Sequence, residues 1–149
     1  MTIAKIDLDV LPSVVREIFF RADGLTDFST ALRTRTVAAG GAARFMFATP
    51  QDFASVVSLD LLMQPAATNA VANIDLLSQY GAIGASVISL STSNNAILYS
   101  LVATQIKALD IVSVFPALAA GQNCGISIQH NAIGGTAEYF GVRLRYNTL

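Results

Sequence analysis

The stretch Glu138 to Asn147, E-Y-F-G-V-R-L-R-Y-N, constrains the fold more than any other in the chain. Phe140, Val142, Leu144 and Tyr146 fall on one side of it, and Gly141, Arg143, Arg145 and Asn147 on the other. A side-chain period of two is what a β-strand with one buried face requires. Its aromatic and β-branched residues suit a pleated, half-buried surface. A lone strand cannot bury its own apolar side, so the segments before it must supply the sheet that receives it.

Those segments read as further strands. Arg44–Ala48 ends at Thr49-Pro50, and Phe53–Met63 alternates Val57, Leu59, Leu61 and Met63 with Ser58, Asp60 and Leu62 before Pro65. Val71–Ser78 runs to Tyr80-Gly81, and Ser86–Ser91 leads into a Thr-Ser-Asn-Asn turn. Ala96–Ala103, Lys107–Val112, Asn123–His130 and the closing stretch complete a set of eight candidate strands. Turn residues recur between them, and nothing there resembles a crossover helix, which predicts an antiparallel sandwich or barrel. Ala96–Leu109 also fits a helical period through Leu98, Leu101, Val102 and Ile106. Ser and Thr on alternate positions favour strand.

The N-terminal part differs. Residues 1–44 hold eleven of the nineteen charged side chains, and the remaining 105 residues hold eight. The break falls at Val37-Ala-Ala-Gly-Gly-Ala-Ala43, whose small residues read as a hinge. The expected organisation is an N-terminal arm, 1–43, joined to a β body, 44–149. Within the arm, Ile6, Leu8 and Val10 alternate with Asp7 and Asp9 as in a short strand. Pro12 then stands where a helix can begin, with Val14 or Val15, Ile18 and Phe19 at helical spacing and Asp23-Gly24 to stop it. A helix this short is stable only when its apolar stripe docks on something.

Composition bears on partners. The chain is 53% hydrophobic and 13% charged, against about a quarter charged in an average globular protein. No apolar run approaches the ~18–20 residues of a spanning helix, so no membrane association is expected. Sparse charge then points to a surface covered by other subunits, since buried interfaces shed charge. A net charge of −1 gives no basic patch for nucleic acid. The opening Met-Thr-Ile-Ala-Lys-Ile-Asp lacks the pattern of a secretory signal.

Catalytic chemistry is thinly represented. Cys124 is the one cysteine and reads as a small core residue. His130 is the one histidine; beside Asn131 and Gly134-Gly135 it reads as a surface or turn residue rather than a catalytic base. A six-residue offset puts Cys124 and His130 on the same side of one strand, roughly 20 Å apart. No nucleophile elbow or phosphate loop is present. Asp7/Asp9 and Asp60/Asp75 are the close or facing carboxylates, and solvated strand-edge acids are the commoner reading. Tyr80, Tyr99, Tyr139 and Tyr146 read as core or interface rather than as a carbohydrate site. The expectation is a protein without enzyme activity, cofactor or metal.

The order of pieces carries a resemblance. An apolar strand ends in Met63-Gln-Pro-Ala-Ala-Thr68, and the next ends in Tyr80-Gly81-Ala82 with Gly84 beyond. Leu109-Asp110-Ile111 follows, then Ala117-Leu-Ala-Ala-Gly121 leads to Cys124-Gly-Ile-Ser-Ile-Gln, and the chain closes on Gly141-Val-Arg-Leu-Arg-Tyr146. Over residues 44–149 this series resembles the jelly-roll structural proteins of tailed bacteriophages, of the capsid cement (decoration), head-fibre or tail-associated kind. The resemblance implies a jelly-roll β-sandwich of about eight strands, assembled as a trimer and without enzyme activity. It also implies a place on the virion after synthesis in the host cytoplasm, with the major capsid protein as partner. The alternative within the resemblance is a tail- or fibre-associated receptor- or glycan-binding protein. The charged arm is then the expected anchor, with Val15, Ile18 and Phe19 as apolar contacts and Arg16, Arg21, Arg33 and Arg35 as polar ones.

Overall fold

The computed structural model describes residues 14–22, 26–27, 33–86 and 90–149, with the side chains of residues 26, 27 and 33 left aside. The expected strand at Ile6–Val10, the Asp7/Asp9 pair, Pro12, Asp23-Gly24 and residues 28–32 of the Thr/Arg-rich stretch lie outside the described residues. So do residues 87–89 of the expected Ser86–Ser91 strand.

Ten strands follow in order: β1 (Val15–Arg21), β2 (Thr26–Asp27), β3 (Arg33–Val37), β4 (Ala42–Ala48) and β5 (Phe53–Pro65). Then come β6 (Asn69–Ala82), β7 (Leu90–Leu101), β8 (Lys107–Asp110), β9 (Gln122–Ala132) and β10 (Ala137–Thr148), with one 3-10 turn at Val112–Val114. They form two antiparallel sheets. The six-stranded one runs β2-β3-β10-β5-β8 with β1 also on β10, and the four-stranded one runs β4-β9-β6-β7. From β3 to β6 each strand changes sheet; β6 and β7 are neighbours in the second; from β8 to β10 the alternation resumes. Among the described residues no helix is long and apolar enough to cross a membrane.

The two sheets share one core, as in a β-sandwich. Alternate residues of every long strand point inward: Ala43, Phe45 and Phe47 on β4, Leu59, Leu61 and Met63 on β5, Cys124, Ile126 and Ile128 on β9. Val142, Leu144 and Tyr146 of β10 are buried among them, as the period of two requires. At one end the rings of Phe20, Phe47, Phe115 and Tyr80 form a chain with centroids 5.8, 5.2 and 5.2 Å apart, spacings at which aromatic pairs attract beyond their area. The Ser78 hydroxyl donates to the Val114 carbonyl, and the Ala117 N–H donates to the Tyr80 hydroxyl at 3.1 Å. These bonds fix the β8–β9 connection against β6.

Strand β10 is the spine of the larger sheet. One edge pairs with β5 over most of its length. The other edge is divided: Ala137–Tyr139 pair with β3, and Gly141–Asn147 with β1. Phe140 is an extra residue in the β5 register, a bulge, and its carbonyl accepts the Ala22 N–H at 2.8 Å. At the division Gly141 has φ +148°, and a Cβ there would lie 2.0 Å from the Phe20 carbonyl oxygen. Only glycine lets β1 pass this close.

The structure corrects two expectations. The helix expected after Pro12 is not formed over Val15–Arg21, which is the strand β1, paired residue for residue from Val15↔Asn147 to Arg21↔Gly141. V-R-E-I-F-F-R has a period of two as well as a helical one, and the open edge of β10 offers it a full ladder. A helix of two turns would be marginal by comparison. Likewise the turn expected at Thr92–Asn95 is a bulge inside one strand, β7: the register against β6 slips between Ile74 and Leu76, where Ala96 takes φ 57°. Strand, not helix, is therefore formed across 96–101. The Ala-Gly stretch holds a turn, closed by the Gly41 N–H on the Ala38 carbonyl at 2.9 Å, between β3 and β4.

Candidate binding surfaces

The outer face of the six-stranded sheet carries an ionic ladder. On β1, Val15, Glu17, Phe19 and Arg21 face out beside Asn147, Arg145, Arg143 and Gly141 of β10. Glu17 lies 3.6 Å from Arg145. Arg143 bonds Asp60 of β5 at 2.8 Å, and Asp60 stands in register with Asp110 of β8. The exposed Glu17–Arg145 pair contributes little to stability, about 0–1 kcal/mol, while Arg143–Asp60 is partly buried. Their effect is to make this face polar and patterned.

The expected anchor residues are divided by the strand. Val15 and Phe19 are exposed, Phe19 at 44%, and Arg21 is exposed on the same side. Ile18 points the other way and packs on the core with Phe20. Arg16 shares their parity and ends on Asp52, Nη1 to Oδ2 at 2.8 Å, where the Tyr146 hydroxyl also donates to Asp52 at 3.2 Å. Arg35 is exposed on β3, and Arg33 begins the same strand.

The outer face of the four-stranded sheet is different in kind. Across it run the rows Met46–Gly125–Gln79–Ser91 and Arg44–Ser127–Leu77–Ser93. Strands β4, β6, β7 and β9 contain only two charged side chains, Arg44 and Asp75. The Ala96 N–H, with help from Asn131, holds the Asp75 carboxyl below the usual range. Over Gly125 lies a depression of about 520 Å³, bordered by Met46, Leu77, Gln79 and Ser127. Met46 is 77% exposed and Leu77 41%. Val71 and Leu98 add further exposed apolar surface to β6 and β7.

The residues with catalytic chemistry point into the core. Cys124 is buried, and burial pushes its thiol up to about 12, far from the thiolate a nucleophile needs. His130 is wholly buried, which corrects the surface or turn reading. Its Nε2 lies 2.5 Å from the Tyr139 hydroxyl and its Nδ1 3.3 Å from the Ala38 carbonyl. A carbonyl only accepts, so Nδ1 carries the proton and Nε2 accepts from Tyr139. The even spacing from Ile126 and Ile128 was the signal for an inward His130; the nearby glycines outweighed it. Tyr80, Tyr139 and Tyr146 are buried, and the half-buried Tyr99 donates to the Asp110 carbonyl at 2.9 Å. Asp60 and Asp75 sit on the outer faces of different sheets and do not meet. Among the described residues there is no group of three or more His, Cys, Asp or Glu able to hold a metal.

Comparison with protein-family models, with curated proteins and with solved structures finds no match for the chain.

Proposed function

We propose that this chain is a non-enzymatic structural protein of a virion, a jelly roll that forms a homo-oligomer, a trimer, and cements the major capsid protein lattice. The observation that carries the reading is the outer face of the four-stranded sheet, nearly free of charge and with Met46, Val71, Leu77 and Leu98 exposed on it. A surface of that kind belongs against protein. The jelly-roll assignment draws support from the strand orders β3-β10-β5-β8 and β4-β9-β6-β7. Two Greek keys laid back to back, with β3 beside β10, would have these orders. The virion setting rests on the sequence resemblance. Burial of Cys124 and His130, the two side chains best suited to nucleophilic work, favours a non-catalytic role.

In this reading the outer face of the six-stranded sheet meets the shell through Val15, Phe19 and Arg21 of β1. The test is location and number. Quantifying the chain on purified particles is expected to give hundreds of copies on the head lattice. A few copies at the tail would overturn cementing in favour of a tail- or fibre-associated receptor-binding protein.

A further inference from the structure

Gly125 stands midway along β9, on the outer face, between Met46 of β4 and Gln79 of β6. Its backbone is not in the left-handed region, and a Cβ added there would meet only the Gln79 carbonyl oxygen, at 3.6 Å, an ordinary contact. The fold of one chain therefore does not need glycine at this position, and a strand interior is weakened by it. Glycine in such a place marks close approach by something outside the strand. Directly beside the depression it leaves stands Met46, 77% exposed, and a flexible thioether is a good filler of apolar gaps.

We propose that this face is the contact between copies of the chain, with Met46 of one copy entering the depression over Gly125 of the next. The inference rests on the self-association in the proposed function and assigns its surface; a face that meets its own copy pairs two chains, so it makes the two-fold contact of a dimer in place of a ring of three. Knob and hole lie on the same face of the same chain, so a second copy supplies both halves of the fit. With strands aligned, seating Met46 on Gly125 lays β4 of one copy over β9 of the other, and the register then puts Arg44 over Ser127. No like charges meet, whereas a charged partner would find only Arg44 and Asp75 to answer it. In this register β4 and β9 of each copy overlap, two strands ~4.8 Å apart and about ten residues long at ~3.3 Å each, or about 300 Å² in plan; that is below the ~800 Å² per partner of a standard interface and suits a weak, concentration-dependent contact.

The experiment is sedimentation of the full chain, Met46→Arg and Gly125→Val at low and high micromolar concentration, with melting curves for all three. Both substitutions sit on the outer face, so their melting should match the unmodified chain within a few degrees. The unmodified chain is expected to assemble, and each variant to associate at least ~30-fold more weakly, the loss of one hot-spot residue. Because filling the hole and charging the knob act from opposite sides, one variant misfolding leaves the other to decide. An unmodified chain that stays monomeric overturns the contact and the homo-oligomer, while particle occupancy still judges cementing. Variants that assemble normally overturn the contact alone; if those variants also leave particles, the face belongs to the shell partner.

Discussion

Two single residues concentrate the constraints on this fold. At Gly141 any side chain would collide with the β1 backbone, since the Cβ would stand 2.0 Å from the Phe20 oxygen at an unfavourable φ of +148°. Gly141→Ala is therefore expected to cost about 2–4 kcal/mol, read as a fall of roughly 5–15 °C in melting temperature. Gly125→Ala, which meets no such obstacle, is the control. The second residue is His130, kept neutral by burial that lowers its pKa. Its depressed folded value means that the unfolded chain takes up the proton first as pH falls. Stability should be flat above about 6.5 and decline below it, with a slope of up to ~1.4 kcal/mol per pH unit. Urea midpoints measured from pH 8 to 5 check this, and His130→Gln should remove most of the slope. Tyr139→Phe, which leaves Nε2 buried without its donor, should cost about 1–3 kcal/mol at neutral pH.

At the scale of elements, how much could be read from the sequence depended on whether local pattern and tertiary partner agreed. β4, β9 and long runs of β5 and β10 were legible because their buried residues alternate, as in Phe45, Phe47 and Leu59, Leu61, Met63; Phe140, set on the buried side of β10 by its parity, is instead the bulge. β1 was not, because Val15, Ile18 and Phe19 make a helical stripe, whereas the strand turns Ile18 and Phe20 inward, and only the vacant edge of β10 decides between them. β7 was split in two because Asn94-Asn95 is a good turn sequence, and a bulge uses the same residue types. His130 shares the inward parity of Ile126 and Ile128 in β9, although the Gly134-Gly135 pair close by is a turn sequence. The surfaces were legible only as totals: a low charge count does not say which sheet bears the uncharged face. The strand geometry of β1 now separates two substitutions that a helix would have merged. Phe19→Ser should leave melting unchanged and reduce occupancy on particles several-fold. Ile18→Ser should instead lower stability by about 1–2 kcal/mol, because that side chain packs on the core. Equal occupancy for the Phe19 variant and the unmodified chain would remove β1 from the shell contact.

For the molecule as a whole, charge is partitioned between two faces. The six-stranded sheet has its ladder of Glu17, Arg145, Arg143 and Asp60, and the four-stranded sheet has almost none. Binding through the first should weaken as salt rises, because exposed ion pairs are screened within about 10 Å at 0.1 M. Association through the second should hold or tighten in sulfate, which strengthens apolar burial. Titrating salt against particle occupancy and against self-association separately would reveal whether the two contacts respond in opposite senses.

The divided edge of β10 has a consequence for biogenesis. Strands β1, β3 and β5 are all made early; β3 can pair with β2 and β5 with β8, but each of the three keeps an edge for β10 that stays open until residues 137–148 have emerged from the ribosome. Until then their bonding groups stand open to any passing strand. Translation arrested short of residue 137 should yield chains that stick to chaperones and to one another.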